Sequence, residues 1–195
     1  MATSMTDLVR QSAGLAEQLM RPLGRRWAHV QAVARAATQW ASVLAPEERP
    51  VLIAAAWLHD IGYAAELVDT GFHPLDGARY LRAEGCPDRV VDLVAHHSGA
   101  RFEAAERDLR TELAEFELED TPVMDALVTA DLTTGPAGEQ VSYQQRIAEI
   151  LRRYPPEDPV HRAWLRAADP MKACVVRTQE RIRRHPMNGF GLLST

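Results

Sequence analysis

Apolar residues along this chain recur every three or four positions, and the sequence contains no convincing strand pattern. That spacing is expected of amphipathic helices, whereas strands show strict alternation of apolar and polar residues. The sequence therefore predicts an all-α protein. The predicted helices cover residues 8–20, 25–44, 51–58, 74–84, 87–97, 121–131, 143–154 and 170–184.

Two segments depart from the amphipathic pattern. Residues 51–58 are apolar on every side, which predicts a helix surrounded by the others, and Gly62 shortly after it is the expected C-cap. Residues 103–119 are charged and contain few large apolar side chains. This composition predicts a surface helix or a mobile segment.

Composition bounds the class of protein. The chain has 195 residues, of which 46% are hydrophobic and 25% charged, so it can bury a core and is expected to form one domain. The net charge of −5 argues against binding to a nucleic-acid polymer, although it allows a small anionic ligand. The longest apolar run, residues 51–58, is far shorter than the roughly 18 to 20 residues of a membrane span. The N-terminus lacks the pattern of a secretory signal, so a cytoplasmic location is expected.

Candidate chemistry lies in three residues on helix faces that are expected to be buried. His29, Asp60 and Asp131 each continue a stripe of apolar residues. Singly, His29 could be an ordinary core histidine, and either aspartate could be a helix-end carboxylate that faces solvent. Together with His59 they supply two imidazoles and two carboxylates, a set that suits a divalent transition metal. Because adjacent helix residues point about 100° apart, His59 and Asp60 can share a cation only at a helix end.

The order of these residues, with His29 first, the pair His59-Asp60 next and Asp131 last, resembles the HD superfamily of metal-dependent phosphohydrolases. The intervals are 30 residues (29 to 59) and 71 residues (60 to 131). The sequence His-Asp-Ile-Gly from position 59 also has the commonest form of the family's central doublet.

The resemblance covers roughly residues 27–135 and implies an architecture. It implies an all-α, single-domain helical bundle of the HD-domain type over residues 1–195. The HD-like core would lie at about 25–135, with C-terminal helices at 140–185 packed on it. Asp60, as a carboxylate, could also bridge two metals.

A second metal is implied by the same resemblance. His73 and the doublet His96-His97 are laid out as in HD enzymes with two metals, which include bacterial diadenosine tetraphosphate hydrolases. One member of the doublet would join His73 as a ligand. Periodicity with Val90 and Val94 favours His97, whereas the family's His-x-x-Gly pattern favours His96, which is preferred. The opposite interpretation is that His73 is an exposed loop residue and that the doublet binds phosphate or caps its helix.

Phosphate contacts are expected from arginine. Many family members carry a lysine shortly after the His-Asp doublet, where this chain has a tyrosine and two alanines. Arg79 and Arg101, close in sequence to the additional histidines, are the candidates to replace it. His161 and His185 lie outside the matched part and are expected to be structural or exposed.

The resulting prediction is a metal-dependent phosphohydrolase that cleaves a phosphate ester or anhydride, with nucleotides as the leading substrate class. One or two divalent ions (Mn, Fe, Mg, Co, Ni or Zn) would polarise a phosphoryl oxygen and generate a hydroxide nucleophile. Asp60 and His96 are the predicted catalytic residues. The expected partner is a small phosphorylated substrate, with no membrane or nucleic-acid polymer, and the sequence leaves a homodimer open.

Two other functions would use the same residues. Some HD proteins with this six-ligand pattern hold two irons and oxidise a small molecule with dioxygen. Histidine and carboxylate ligands suit iron as well. The third hypothesis is a non-catalytic, ligand-sensing helical domain in which the metal site is structural.

Overall fold

Helices form the regular secondary structure of residues 5–184, the part of the chain that the computed structural model describes. Apart from one isolated bridge between Thr134 and Gln140, this part contains no β-structure, so the predicted all-α class is confirmed. None of its helices is both long and apolar enough to cross a membrane. The helices are α1 Met5–Met20, α2 Arg25–Trp40, α3 Arg49–Leu58, α4 His73–Ala83, α5 Asp88–His96, α6 Ala100–Glu106, α7 Arg110–Leu113, α8 Pro122–Leu132, α9 Tyr143–Arg153 and α10 Pro159–Arg184.

Helix α3 lies at the centre of the bundle, as its apolar sequence predicts. It packs against α1, α2, α5 and α8. Leu52, Leu58 and the three alanines 54–56 are fully buried. Because α3 is enclosed, the residues that follow its last turn are carried into the interior of the protein.

The charged segment 103–119 is neither one surface helix nor a featureless loop. Helix α6 ends at Glu106, and α7 is a single turn after it. Asp108 between them has a φ of +58°, which ends a right-handed helix. Leu113 and Phe116 are buried in the core. Two large apolar side chains are thus enough to fix a segment that its composition had placed on the surface.

The prediction of a helix that begins at Pro170 is wrong, because α10 starts at Pro159 and runs through Pro170. A proline inside a helix removes one backbone hydrogen bond and costs about 3 kcal/mol. Burial on one face continues across it, with Trp164 and Ala167 before Pro170 and Met171 and Cys174 after it. Packing of this face against α6, α8 and α9 outweighs the local cost.

An ion cluster joins α10 to α8. The side chain of Asp125 is only 2% exposed, and it accepts hydrogen bonds from Arg177 and Arg181. The Arg177 Nε to Asp125 Oδ2 distance is 2.9 Å, and Arg181 Nη1 lies 2.5 Å from the same oxygen. Although burial raises the pKa of Asp125, the hydrogen bonds from the two arginines hold it below its usual value.

Candidate metal centre

Six side chains that can ligate metal converge inside the bundle. They form two groups, and within each group one ligand atom of every residue lies within 4.8 Å of the others. The first group joins α2, the end of α3 and the end of α8, and the second joins the end of α3, the start of α4 and the end of α5. The first group is His29, His59 and Asp131, and the second is Asp60, His73 and His97.

The first group surrounds one oxygen of Asp131. The Nε2 atom of His29 lies 3.0 Å from Asp131 Oδ1, and the Nε2 atom of His59 lies 4.0 Å from it. The second oxygen of Asp131 accepts a hydrogen bond from the hydroxyl of Ser98, whose φ is +47°. His59 Nε2 is buried and has no hydrogen-bond partner among residues 5–184. A buried polar atom without a partner is costly, so this nitrogen fits a ligand that binds between the side chains.

Backbone carbonyls orient three of the four imidazoles in the same way. Each ring donates its Nδ1–H to a carbonyl, so in the neutral ring Nε2 carries a lone pair. The Nε2 atoms of these rings face the carboxylates of Asp60 and Asp131. Histidines that ligate metals are commonly held in this way through the other nitrogen. The pairs are His29 with Gly135 at 3.0 Å, His59 with Ala56 at 2.8 Å, and His97 with Val94 at 2.7 Å.

Asp60 lies between the two groups. Its Oδ1 atom is 3.4 Å from His73 Nε2, 3.6 Å from His59 Nε2 and 3.9 Å from His97 Nε2. The Nε2 atoms of His73 and His97 are 3.2 Å apart. Burial lowers the pKa of His73 and of His59, which favours neutral rings with lone pairs available for a cation. One oxygen of Asp60 is therefore within reach of ligands from both groups.

The other oxygen of Asp60 is held by Arg26. Arg26 Nη1 donates to Asp60 Oδ2 at 2.9 Å, and its guanidinium lies 3.3 Å above the ring of Tyr63. Tyr63 in turn stacks on His73, with ring centroids 4.0 Å apart. Burial raises the pKa of Asp60, but His59 and Arg26 beside it hold the pKa well below its usual value, so the carboxylate is charged. Arg26 thus fixes one oxygen and leaves the other facing the imidazoles.

Gly62 allows the end of α3 to reach the start of α4. A Cβ atom at this position would lie 2.0 Å from the carbonyl oxygen of His73 and 2.7 Å from the backbone nitrogen of Gly77. No side chain fits there. Gly62 lies in a 3-10 turn after α3, so close backbone approach, and not the expected C-cap, is the reason for the glycine.

Comparison of the sequence with known families also points to a metal centre. A family model for the HD domain matches residues 26–131, which is 106 of the 195 residues (26 to 131). The chain belongs to the HD domain family. Membership places it in a superfamily of metal-dependent hydrolases, and all six residues of the two groups lie inside the matched part. No curated protein and no solved structure shows significant similarity to the chain.

The preference for His96 over His97 in this HD domain is corrected by the structure. His96 is the last residue of α5, and its Nε2–H donates to the carbonyl of Phe116 at 3.0 Å. It lines a separate groove, while His97 faces Asp60. The periodicity of α5 was the better signal, because it places His97 on the buried stripe of Val90 and Val94.

The two arginines expected to contact phosphate also lie elsewhere. Arg79 Nη2 donates to Glu115 Oε1 at 2.9 Å on the outer side of α4. Arg101 is exposed on α6 and lines the same groove as His96. Neither reaches the cavity of the metal centre, because closeness in sequence to a histidine does not place two side chains on the same helix face.

The cavity over the two groups has a volume of about 90 Å³ and contains arginines that sequence reasoning missed. These are Arg26, Arg146 and Arg153. Arg26 precedes His29 by three positions, so both lie on one face of α2, and this spacing was a usable signal. Arg146 and Arg153 belong to α9, beyond the part that the family model matches.

His161 is outside the centre. His161 Nδ1–H donates to the carbonyl of Tyr154 at 2.8 Å, which ties the start of α10 to the end of α9. This contact agrees with its expected structural role. His185 lies outside the described residues.

Proposed function

We propose that this HD protein is a metal-dependent phosphohydrolase that cleaves a phosphate ester or anhydride of a nucleotide. The observation that carries the proposal is the unpartnered Nε2 of His59, which faces Asp131 and Asp60 at the point where the other Nε2 atoms converge. Buried lone pairs beside buried negative charge leave a place for a cation.

The residues present fit a divalent ion. His29, His59 and Asp131 would hold one ion, with Asp60 beside it, and Asp60 would share a second ion with His73 and His97. A mixture of imidazole and carboxylate ligands suits Mn, Fe, Co, Ni or Zn. When bound, such an ion polarises a phosphoryl oxygen and lowers the pKa of a bound water towards about 7.

The chain's own residues supply position and charge. Arg26 holds Asp60 in one orientation, and Ser98 does the same for Asp131. The hydroxyl of Ser98 donates its proton to Asp131, and burial raises the pKa of Tyr63, so its phenol stays neutral. The narrow cavity above Asp60 limits how many other waters can reach the phosphoryl group.

The test is Asp60→Asn in the full chain, with His161→Ala as control. The amide keeps the size of the side chain but is a poor ligand, so metal content should fall and metal-dependent hydrolysis of bis(p-nitrophenyl) phosphate should drop about 100-fold. Circular dichroism should stay helical, and His161→Ala should keep both metal content and turnover. Elemental analysis and a hydrolysis screen over nucleotides measure these quantities.

Two results would count against the proposal. One is an Asp60→Asn protein with full metal content and unimpaired turnover. The other is a wild-type protein that contains two irons and consumes dioxygen without hydrolysing any phosphate compound, which would favour the oxygenase.

A further inference from the structure

A second cavity opens beside the metal centre, and its walls are strongly basic. It has a volume of about 540 Å³ and shares Arg26, His29, Arg146 and Arg153 with the inner cavity. Five arginines and one carboxylate line it: Arg25, Arg26, Arg146, Arg152, Arg153 and Glu149.

The basic walls contrast with the rest of the chain. The protein carries 27 acidic and 22 basic residues and a net charge of −5. Grouping five positive charges around one cavity costs free energy through mutual repulsion, and it attracts anions to the cavity. The composition of the chain does not explain this grouping.

Among these arginines, Arg146 has a buried hydrogen-bond donor that is not satisfied. Its side chain is 12% exposed, and its Nε atom is buried with no hydrogen-bond partner in the part of the chain that the structure describes. Its Nη1 atom lies 2.6 Å from Glu149, which also pairs with Arg153. One carboxylate is thus divided between two guanidinium groups. A buried donor without an acceptor is costly, so an oxygen-rich anion would satisfy Arg146.

Three of the five arginines come from α9, a part of the chain that is distinct from the metal centre, while Arg25 and Arg26 lie on α2 beside it. Arg146 and Arg153 lie two turns apart on one face of α9, and Ile150 between them lines the inner cavity with them. Helix α9 starts at Tyr143, beyond the matched HD region. Binding of an anion by α9 is therefore an addition to the centre and not a part of it.

We propose that these arginines bind the phosphoryl groups of the substrate that are not cleaved. The substrate would carry at least two linked phosphates, with the reacting phosphoryl group in the inner cavity and the rest of the oligophosphate in the outer one. Cavities that hold small molecules have volumes of roughly 300–1,000 Å³. The outer cavity falls in this range and the inner one does not. This inference rests on the proposed function and names its substrate class.

The first test measures binding without any metal. Isothermal titration calorimetry compares inorganic tripolyphosphate with orthophosphate on the chelator-treated full chain. Tripolyphosphate should bind about tenfold more tightly, because it can contact several arginines at once. Arg146→Gln and Arg153→Gln should each weaken tripolyphosphate binding about tenfold. Arg35→Gln, an exposed arginine on α2 outside both cavities, is the matched control and should change nothing.

The second test separates binding of the oligophosphate from chemistry on the metal-loaded protein. Arg153→Gln should raise KM for a nucleoside triphosphate about tenfold more than it raises KM for bis(p-nitrophenyl) phosphate, since that ester has no second phosphate. Arg153 is the more exposed of the two arginines, so its variant should fold even where Arg146→Gln does not. Circular dichroism checks this point.

The outcomes distinguish the two proposals. Equal affinity for orthophosphate and tripolyphosphate, or variants that bind like the wild type, would overturn the oligophosphate site and leave hydrolysis intact. An equal loss for both substrates would also overturn it. Arginine-dependent binding of tripolyphosphate by a protein that hydrolyses nothing would sustain the site and refute the proposed function.

Discussion

Two buried aspartates on α8, six positions apart (125 to 131), have opposite surroundings. Asp125 is 2% exposed and is paired with Arg177 and Arg181, which always carry a charge. Asp131 is 6% exposed and faces imidazoles and a hydroxyl. The protein itself neutralises the carboxylate of Asp125, whereas the carboxylate of Asp131 is left available to a bound cation.

The difference has an energetic consequence. A buried carboxylate costs several kcal/mol unless charge and hydrogen bonds compensate it. Around Asp125 the compensation is present at all times. Around Asp131 the compensation is conditional, because Nδ1–H of His29 is already donated to Gly135 and Nε2 can donate to Asp131 only when the ring is protonated. Although burial opposes both charges, this contact raises the pKa of His29 and lowers the pKa of Asp131. The position whose charge is balanced by imidazoles, and not by arginines, is the one suited to chemistry.

The largest expected effect follows from Asp131→Asn. We expect metal content to fall and metal-dependent hydrolysis to drop at least about 100-fold, because even residues behind the ligands are worth about 10- to 100-fold. Turnover and metal content are compared per folded molecule, because the depressed pKa of Asp131 indicates that its charge also contributes to the stability of the folded chain. Elemental analysis, turnover and urea unfolding with a chelator measure this. A less stable but fully active protein would mean that Asp131, like Asp125, serves stability and does not bind metal.

Asp125→Asn should keep the metal content and turnover that Asp131→Asn loses. Unfolding free energy should fall by about 2 kcal/mol, the usual range for hydrogen bonds to charged groups, with metal content and turnover per folded molecule retained. Asp120→Asn is the matched control, because Asp120 is 95% exposed and lies 3.6 Å from the same Arg177. An exposed pair contributes less than about 1 kcal/mol. Comparable losses for both variants would show that burial of Asp125 is irrelevant.

A smaller effect is expected from acidification. The folded-state pKa of Asp125 lies below its usual value of 3.8, so its contribution to stability is complete above that value. The contribution is lost as the pH falls through the folded-state pKa. The difference in unfolding free energy between wild type and Asp125→Asn should therefore shrink between about pH 4 and pH 2. A constant difference over that interval would exclude a charged Asp125 as its source.

Much of the fold and the centre could be predicted from sequence because each relied on local spacing. Helix periodicity holds wherever one face is buried, and His29, Asp60 and Asp131 were conspicuous as polar residues on such faces. The sequence also marks Gly62, but as a helix C-cap, whereas the structure shows a close backbone approach at this glycine.

The rest depended on contacts between distant residues. The direction of a ring at the end of a helix is set by the turn after it, so His96 and His97 could not be separated by a short motif. Pro170 has a local effect that the packing of α10 overrides. Arg146 and Arg153 share a cavity with Asp60 only because α9 folds back over the bundle.

The contact at Gly62 limits how far the centre can deform in thermal motion. Because the backbone after α3 rests directly on the first turn of α4, the two segments are constrained to move together. The distance between Asp60 and His73 is then already set in the folded chain, so little ordering entropy is lost when an ion is captured. The affinity of such a centre for an ion would come from preorganisation of the ligands and not from induced closure around the ion.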